Sequence, residues 1–68
     1  MNLLTVKEVS KQLKVSEDTV LNLITSQKLS AAKIGKQWRI VESDLLSYFK
    51  SRLIESKRQL KQQYENAG

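Results

Sequence analysis

Two helix-start signals stand eleven residues apart near the beginning of this chain, and the helices they open are joined by almost nothing. The first is Thr5-Val6-Lys7-Glu8. A threonine followed three residues later by glutamate is a capping box: the hydroxyl accepts an orphan amide of the first turn, and the carboxylate accepts the amide of the cap. Leu3 or Leu4 can act as the hydrophobic staple before it. Val6, Val9 and Leu13 then fall three and four apart on one helical face, with Lys7, Lys11, Gln12 and Lys14 on the other. The second signal is Ser16, followed by Glu17 and Asp18 where the helix dipole favours negative charge. Val20, Leu23 and Ile24, widened by Leu21, form its apolar face, so Leu23 is expected in the core. Only Lys14 and Val15 separate the first helix from the second cap. So short a link forces a steep crossing, as in a helix-turn-helix.

A hairpin is expected from Ala31 to Ile40. Gly35 lies between Ala32-Lys33-Ile34 and Trp38-Arg39-Ile40. A two-residue loop, Gly35-Lys36, suits a turn with glycine first but pairs Lys33 with Trp38. A three-residue loop, Gly35 to Gln37, pairs Ile34 with Trp38 and Ala32 with Ile40, and sets Lys33 and Arg39 side by side on the outer face. Burial sets register, so the longer loop is the expectation, with Trp38 in the core. A third helix is expected from near Glu42, Ser43 and Asp44, with Leu45, Leu46, Phe49 and Leu53 as its apolar face. Leu46, Phe49, Leu53 and Leu60 keep coiled-coil spacing, but Ser56 interrupts it, and the stripe is too short to establish a coiled coil. The fold class is therefore mainly α with a small β-hairpin: a winged helix-turn-helix over residues 1–49, with a basic helical extension or tail over 50–68, the modal expectation for that tail being a frayed, solvated helix.

Composition narrows the chemistry. A chain of 68 residues is one domain at most, and at this length it buries only about 60% of the surface its unfolded form exposes. It contains neither histidine nor cysteine, which removes the usual general base and metal ligand as well as any disulfide or thiolate metal site. No catalytic residue, metal or cofactor is expected, and neither is a small-molecule ligand. Twelve basic residues against seven acidic ones give a net charge of +5, a bias toward polyanions. The N-terminus has no apolar stretch of the signal-peptide kind, and no window approaches a membrane span. The expected compartment is the cytoplasm, with no membrane partner.

The run Leu4-Thr5-Val6-Lys7-Glu8-Val9, then Leu13 to Val20, Ile24, Lys28-Leu29, Lys33-Ile34-Gly35, Trp38-Arg39-Ile40 and Asp44-Leu45 resembles the excisionase-type DNA-binding domain, a relative of the mercury-resistance-regulator (MerR) type of winged helix-turn-helix. The resemblance covers about residues 3 to 49. It implies double-stranded DNA as partner and a role as excision factor or transcription regulator, with an integrase or recombinase, or further copies of the chain on DNA, as other partners. The sequence departs from the family pattern in three ways: Gln27 stands where glycine is frequent, Glu17, Asp18 and Asn22 where basic residues are, and Val41 where proline is.

In such a fold the second helix presents its first turn to the major groove. Ser16 and Thr19 flank a helix N-terminus that can hold a phosphate, although Ser16 is a cap first and Glu17 and Asp18 answer the dipole. Asn22 can bond an adenine edge and Glu17 can accept from a cytosine amino group. Lys33, Lys36 and Arg39, with Gln37 among them, suit a wing on the backbone or in the minor groove. The competing role for Arg39 is an ion pair with Asp44 or Glu42. Lys28 is a phosphate candidate, and Lys7, Lys11 and Lys14 are weaker ones. The rival to DNA binding is an interaction module in which the helix from Lys50 onward docks on an integrase or on a second copy.

Overall fold

The computed structural model describes the backbone of residues 1–66 and the side chains of residues 1–62. Strand β1 (Leu3–Thr5) leads into helix α1 (Val6–Leu13), followed by α2 (Glu17–Thr25), β2 (Ala32–Ile34), β3 (Gln37–Val41) and α3 (Glu42–Asn66). This is a winged helix-turn-helix with three helices and a three-stranded antiparallel sheet of order β1-β3-β2.

Both expected caps form. The Thr5 hydroxyl accepts from the Glu8 amide at 3.0 Å, and the Thr5 amide donates to Glu8 Oε1 at 3.1 Å. Ser16 Oγ accepts from the Thr19 amide at 3.1 Å. Each helix of the pair also ends in the same way. At the end of α1, Lys14 takes φ 57°, its amide donates to the Lys11 carbonyl, and the Val15 amide donates to Ser10. At the end of α2, Gln27 takes φ 64°, its amide donates to Ile24, and the Lys28 amide donates to Leu23. These are paired Schellman closures. The second explains why glycine is frequent at the Gln27 position: the left-handed conformation crowds a Cβ and costs glycine nothing.

The hairpin register differs from the expectation. Ala32 pairs with Arg39, Lys33 with Trp38 and Ile34 with Gln37, leaving Gly35-Lys36 as a two-residue loop. Gly35 has φ 62°. A three-residue loop needs its left-handed residue last, and that position is Gln37, whereas the glycine comes first. Side-chain chemistry resolves the apparent mismatch of Lys33 with Trp38, because Lys33 Nζ lies 5.7 Å from the centroid of the indole. A cation over a tryptophan face is an attractive pair. Ile34 consequently points outward and is 61% exposed. Lys33 and Arg39 lie on opposite faces of the sheet rather than side by side, and Trp38 is half-buried against the core.

Leu3 and Leu4, read as a staple, are instead a third strand. Leu3 pairs with Val41, Leu4 with Ile40 and Thr5 with Arg39, which makes β3 the central strand. The Asn2–Glu42 pair extends this closure, with the Glu42 amide on the Asn2 carbonyl and Asn2 Nδ2 donating to Glu42 Oε2. The core comprises Leu4, Val9, Val20, Ile24, Leu29, Ile40 and Leu45. Leu23 sits only half-buried at its edge, not inside it as expected. Of the apolar face assigned to the third helix, Leu45 is buried while Leu46, Phe49 and Leu53 remain exposed. The reason is geometric: α3 touches the domain only along its first turns and then runs on alone, giving the molecule a long axis of 53 Å. Among the described residues no helix is long and apolar enough to cross a membrane, and no cluster of potential metal ligands occurs.

Two stability outcomes follow from this packing. Ile40 has no exposed surface, so Ile40→Ala should cost roughly 2–5 kcal/mol. That rivals the roughly 3–5 kcal/mol available to a core of this size. Far-UV circular dichroism should show this variant largely unfolded at room temperature, with Leu23→Ala clearly less affected. The reverse order would contradict the placement of the two side chains. Gln27→Gly should raise stability by about 0.5 kcal/mol, as relief of a left-handed side chain outweighs the entropy glycine loses. A shift of the urea midpoint to higher concentration at constant slope is the expected reading.

Candidate nucleic-acid interface

The groove-facing part of α2 is defined by what its other side buries. Val20 and Ile24 are in the core, and at 3.6 residues per turn Asn22 lies about 180° from their mean direction. Asn22 is therefore the centre of the solvent face, and Asp18 adjoins it one turn earlier. Both are exposed. Thr25 and Ser26 close the C-terminal end of this face with their hydroxyls turned back to the Asn22 and Leu23 carbonyls. At the N-terminal end, Ser16 Oγ and Thr19 Oγ1 share a 2.9 Å hydrogen bond. The two hydroxyls thus serve the cap first. Glu17 is displaced from the Asn22 face toward the hairpin.

The hairpin meets α2 across a cleft of about 450 Å³. Glu17 and Leu21 line it from α2, Lys36, Gln37, Trp38 and Arg39 from the hairpin, and Thr5, Val6 and Lys7 from the start of α1. Three cations and one carboxylate are among the lining residues, so the cleft is net basic. The third wall depends on β1: because Thr5 pairs with Arg39, the N-terminus of α1 is carried up to the wing. Lys7, a weak candidate by sequence, is thereby placed beside Lys36 and Arg39.

Arg39 is half-buried and held in place. One terminal nitrogen donates to the Trp38 carbonyl at 3.0 Å and the other to Gln37 Oε1. Its partners are therefore the hairpin itself and not Asp44 or Glu42. Glu42 is engaged by Asn2. A guanidinium carries five N–H donors, so the grip leaves others free to face an anion. Gln37 thus orients Arg39. Lys36, at the loop tip, is exposed. Lys33 is drawn over Trp38 and is not among the residues that line the cleft, and Lys28 is exposed just beyond the closure of α2. The stronger candidates do not form one patch. Glu17, Lys36, Gln37 and Arg39 converge on the cleft, Ser16, Asp18, Thr19 and Asn22 lie along the open side of α2, and Lys28 and Lys33 stand apart.

The sequence matches a protein family described as a helix-turn-helix domain, over residues 3–53. No curated protein and no solved structure matches the chain. The matched segment runs from the first residue of β1 into the middle of α3 and contains both helices of the pair, the hairpin and the cleft between them. With most of its length inside that match, the chain belongs to the helix-turn-helix domain family, a family of excisionase-type DNA-binding domains.

Proposed function

We propose that this chain binds double-stranded DNA at specific sequences, with the solvent face of α2 in the major groove and the β2–β3 wing on the adjacent backbone or minor groove. The observation that carries this reading is the cleft between them. A helix and a basic hairpin separated by an open, net-positive channel can straddle one sugar–phosphate strand. The helix then enters the groove on one side, and Lys36, Arg39 and Lys7 reach the phosphates from the other. Asn22, at the centre of the α2 face, is the principal base reader, suited to an adenine edge. Glu17 and Asp18 oppose phosphates, so they act by rejecting sites where no base donor answers them. Ser16, Thr19 and Lys28 add backbone contacts, and Lys33 contributes through Trp38, whose ring it steadies.

The DNA-binding unit is residues 1–49, and the basic extension from residue 50 is left for other work. The biological role is that of an excision factor or a transcription regulator acting in the cytoplasm, without chemistry of its own. Both roles require only that DNA be marked or bent. Selection of bound sequences from random duplex DNA tests the reading directly: an enriched motif is the expected result, and recovery of unselected sequence would overturn it.

Two further outcomes separate backbone from base contacts. Lys36→Ala should weaken binding to all sequences alike and reduce the slope of log K against log salt by about one unit. Loss of specific binding with an unchanged slope would exclude a phosphate role. Asn22→Ala should relax preference at one base position by roughly 1–3 kcal/mol without altering the slope, because no charge is lost. Glu17→Ala should raise non-specific affinity and relax a different position. Competition over single-base variants of the selected site, at two salt concentrations, reads all of these. Equal discrimination by wild type and both α2 variants would remove α2 from base reading.

A further inference from the structure

Helix α3 carries a second surface that the DNA-binding reading does not use. From Phe49 to Gln62 every residue except Glu55 is exposed, so this stretch has no tertiary support. Its composition is nevertheless ordered. Leu46, Phe49, Leu53 and Leu60 are 53%, 52%, 44% and 60% exposed, and at 100° per residue they fall within an arc of about 60°. At its domain end the stripe opens into a groove of about 490 Å³ shared with Gln12 and Leu13 of α1. Apolar side chains so aligned and so bare mark an interaction face, and a helix without packing draws its stability from whatever covers that face.

Charge identifies the occupant. Between residues 50 and 62 the helix carries Lys50, Arg52, Lys57, Arg58 and Lys61 against Glu55 alone. Lys50, Lys57 and Lys61 follow the stripe along one edge within about 60° of Leu46, and Arg52 borders the other. These flanking positions decide which helix can pair with which. A second copy fits poorly. Antiparallel pairing sets the Lys50–Lys57 edge against the same edge of the other copy, and parallel pairing sets Arg52 beside Lys57 of the other copy. An acidic helix satisfies both edges.

We infer that the outer face of α3, from the Leu13–Phe49 groove to Leu60, docks an amphipathic helix of a partner protein whose apolar stripe is flanked by glutamate or aspartate. The apolar stripe supplies the contact area and the basic edges supply partner choice. The groove at its domain end shares no lining residue with the α2–wing cleft, so docking and DNA binding are separate events.

A labelled three-heptad synthetic helix with leucine at its core positions and glutamate at its flanks is the probe, and the same helix with lysine flanks is the control. Fluorescence anisotropy with the full chain, without DNA, should show the acidic helix binding more tightly than the basic one by at least about tenfold, and more so at low salt. Leu53→Asp should weaken capture of the acidic helix by about tenfold or more, while its thermal transition and DNA titration stay as in wild type. The double variant Lys50→Glu, Lys57→Glu should reverse the preference toward the basic helix. Several results would overturn the inference. These are equal affinity for the two helices, no binding, an unreversed preference, or sedimentation showing that the chain already dimerises through α3 and loses the dimer in Leu53→Asp. A Leu53→Asp protein that loses DNA affinity in step with peptide affinity would instead assign α3 to the DNA interface.

Discussion

Thr5 belongs to two structures at once. It is the last residue of β1, where it pairs with Arg39, and it is the N-cap of α1, where it exchanges hydrogen bonds with Glu8. No loop intervenes, so the direction in which α1 leaves the sheet is fixed by one residue's backbone, at φ −84° and ψ 164°. Everything downstream inherits that direction. The Schellman closure at Lys14 turns the chain within two residues into the Ser16 cap, so α2 is set against α1, and hence against the sheet, without an adjustable joint. The distance between α2 and the wing is thereby a property of a rigid frame. A DNA-binding surface made of a helix and a hairpin requires such a frame, because its two parts must match the fixed spacing of groove and backbone.

The frame carries local strain. Lys14 and Gln27 both hold left-handed conformations that cost a side-chain-bearing residue about 1–2 kcal/mol each. The hydrogen bonds they enable satisfy carbonyls at both helix ends that would otherwise be unpaired near the core. The core in turn rests on few residues, with Ile40 at its centre on the middle strand. A small chain without cysteine has no second means of support, which is why the hydrogen-bonded closures carry such weight.

The division of charge in the molecule follows its two surfaces. The α2 face has acidic residues and an asparagine, and the cations nearest to it lie on the neighbouring wing and α1. The far part of α3 is basic along an apolar stripe, a combination suited to an acidic protein surface. The structure thus sets an acidic and amide-bearing helix face beside a net-basic cleft, and a basic stretch with an exposed apolar stripe on the extended helix.

The helices, their caps, the tight joint between them and the presence of a hairpin are legible in the amino-acid order, because those signals act over three or four residues. Thr5 with Glu8 and Ser16 with its acidic followers need no distant partner to be read, and the family resemblance is carried by the same local runs. Which chain segments meet is set by long-range packing. Leu3 and Leu4 gave no sign of being a strand, since three residues show no period and their partner lies more than thirty positions away. Apolar pattern alone misjudged the hairpin register, because the pairing of a lysine with a tryptophan is favourable in three dimensions and the left-handed residue had to be Gly35. Leu46, Phe49 and Leu53 share helical spacing with Leu45, but whether such a face is covered depends on where the domain stops, which no local signal records. The cleft that joins Glu17, Lys36, Arg39 and Lys7 exists only once β1 has paired with β3, since that long-range pairing is what brings the start of α1 to the wing.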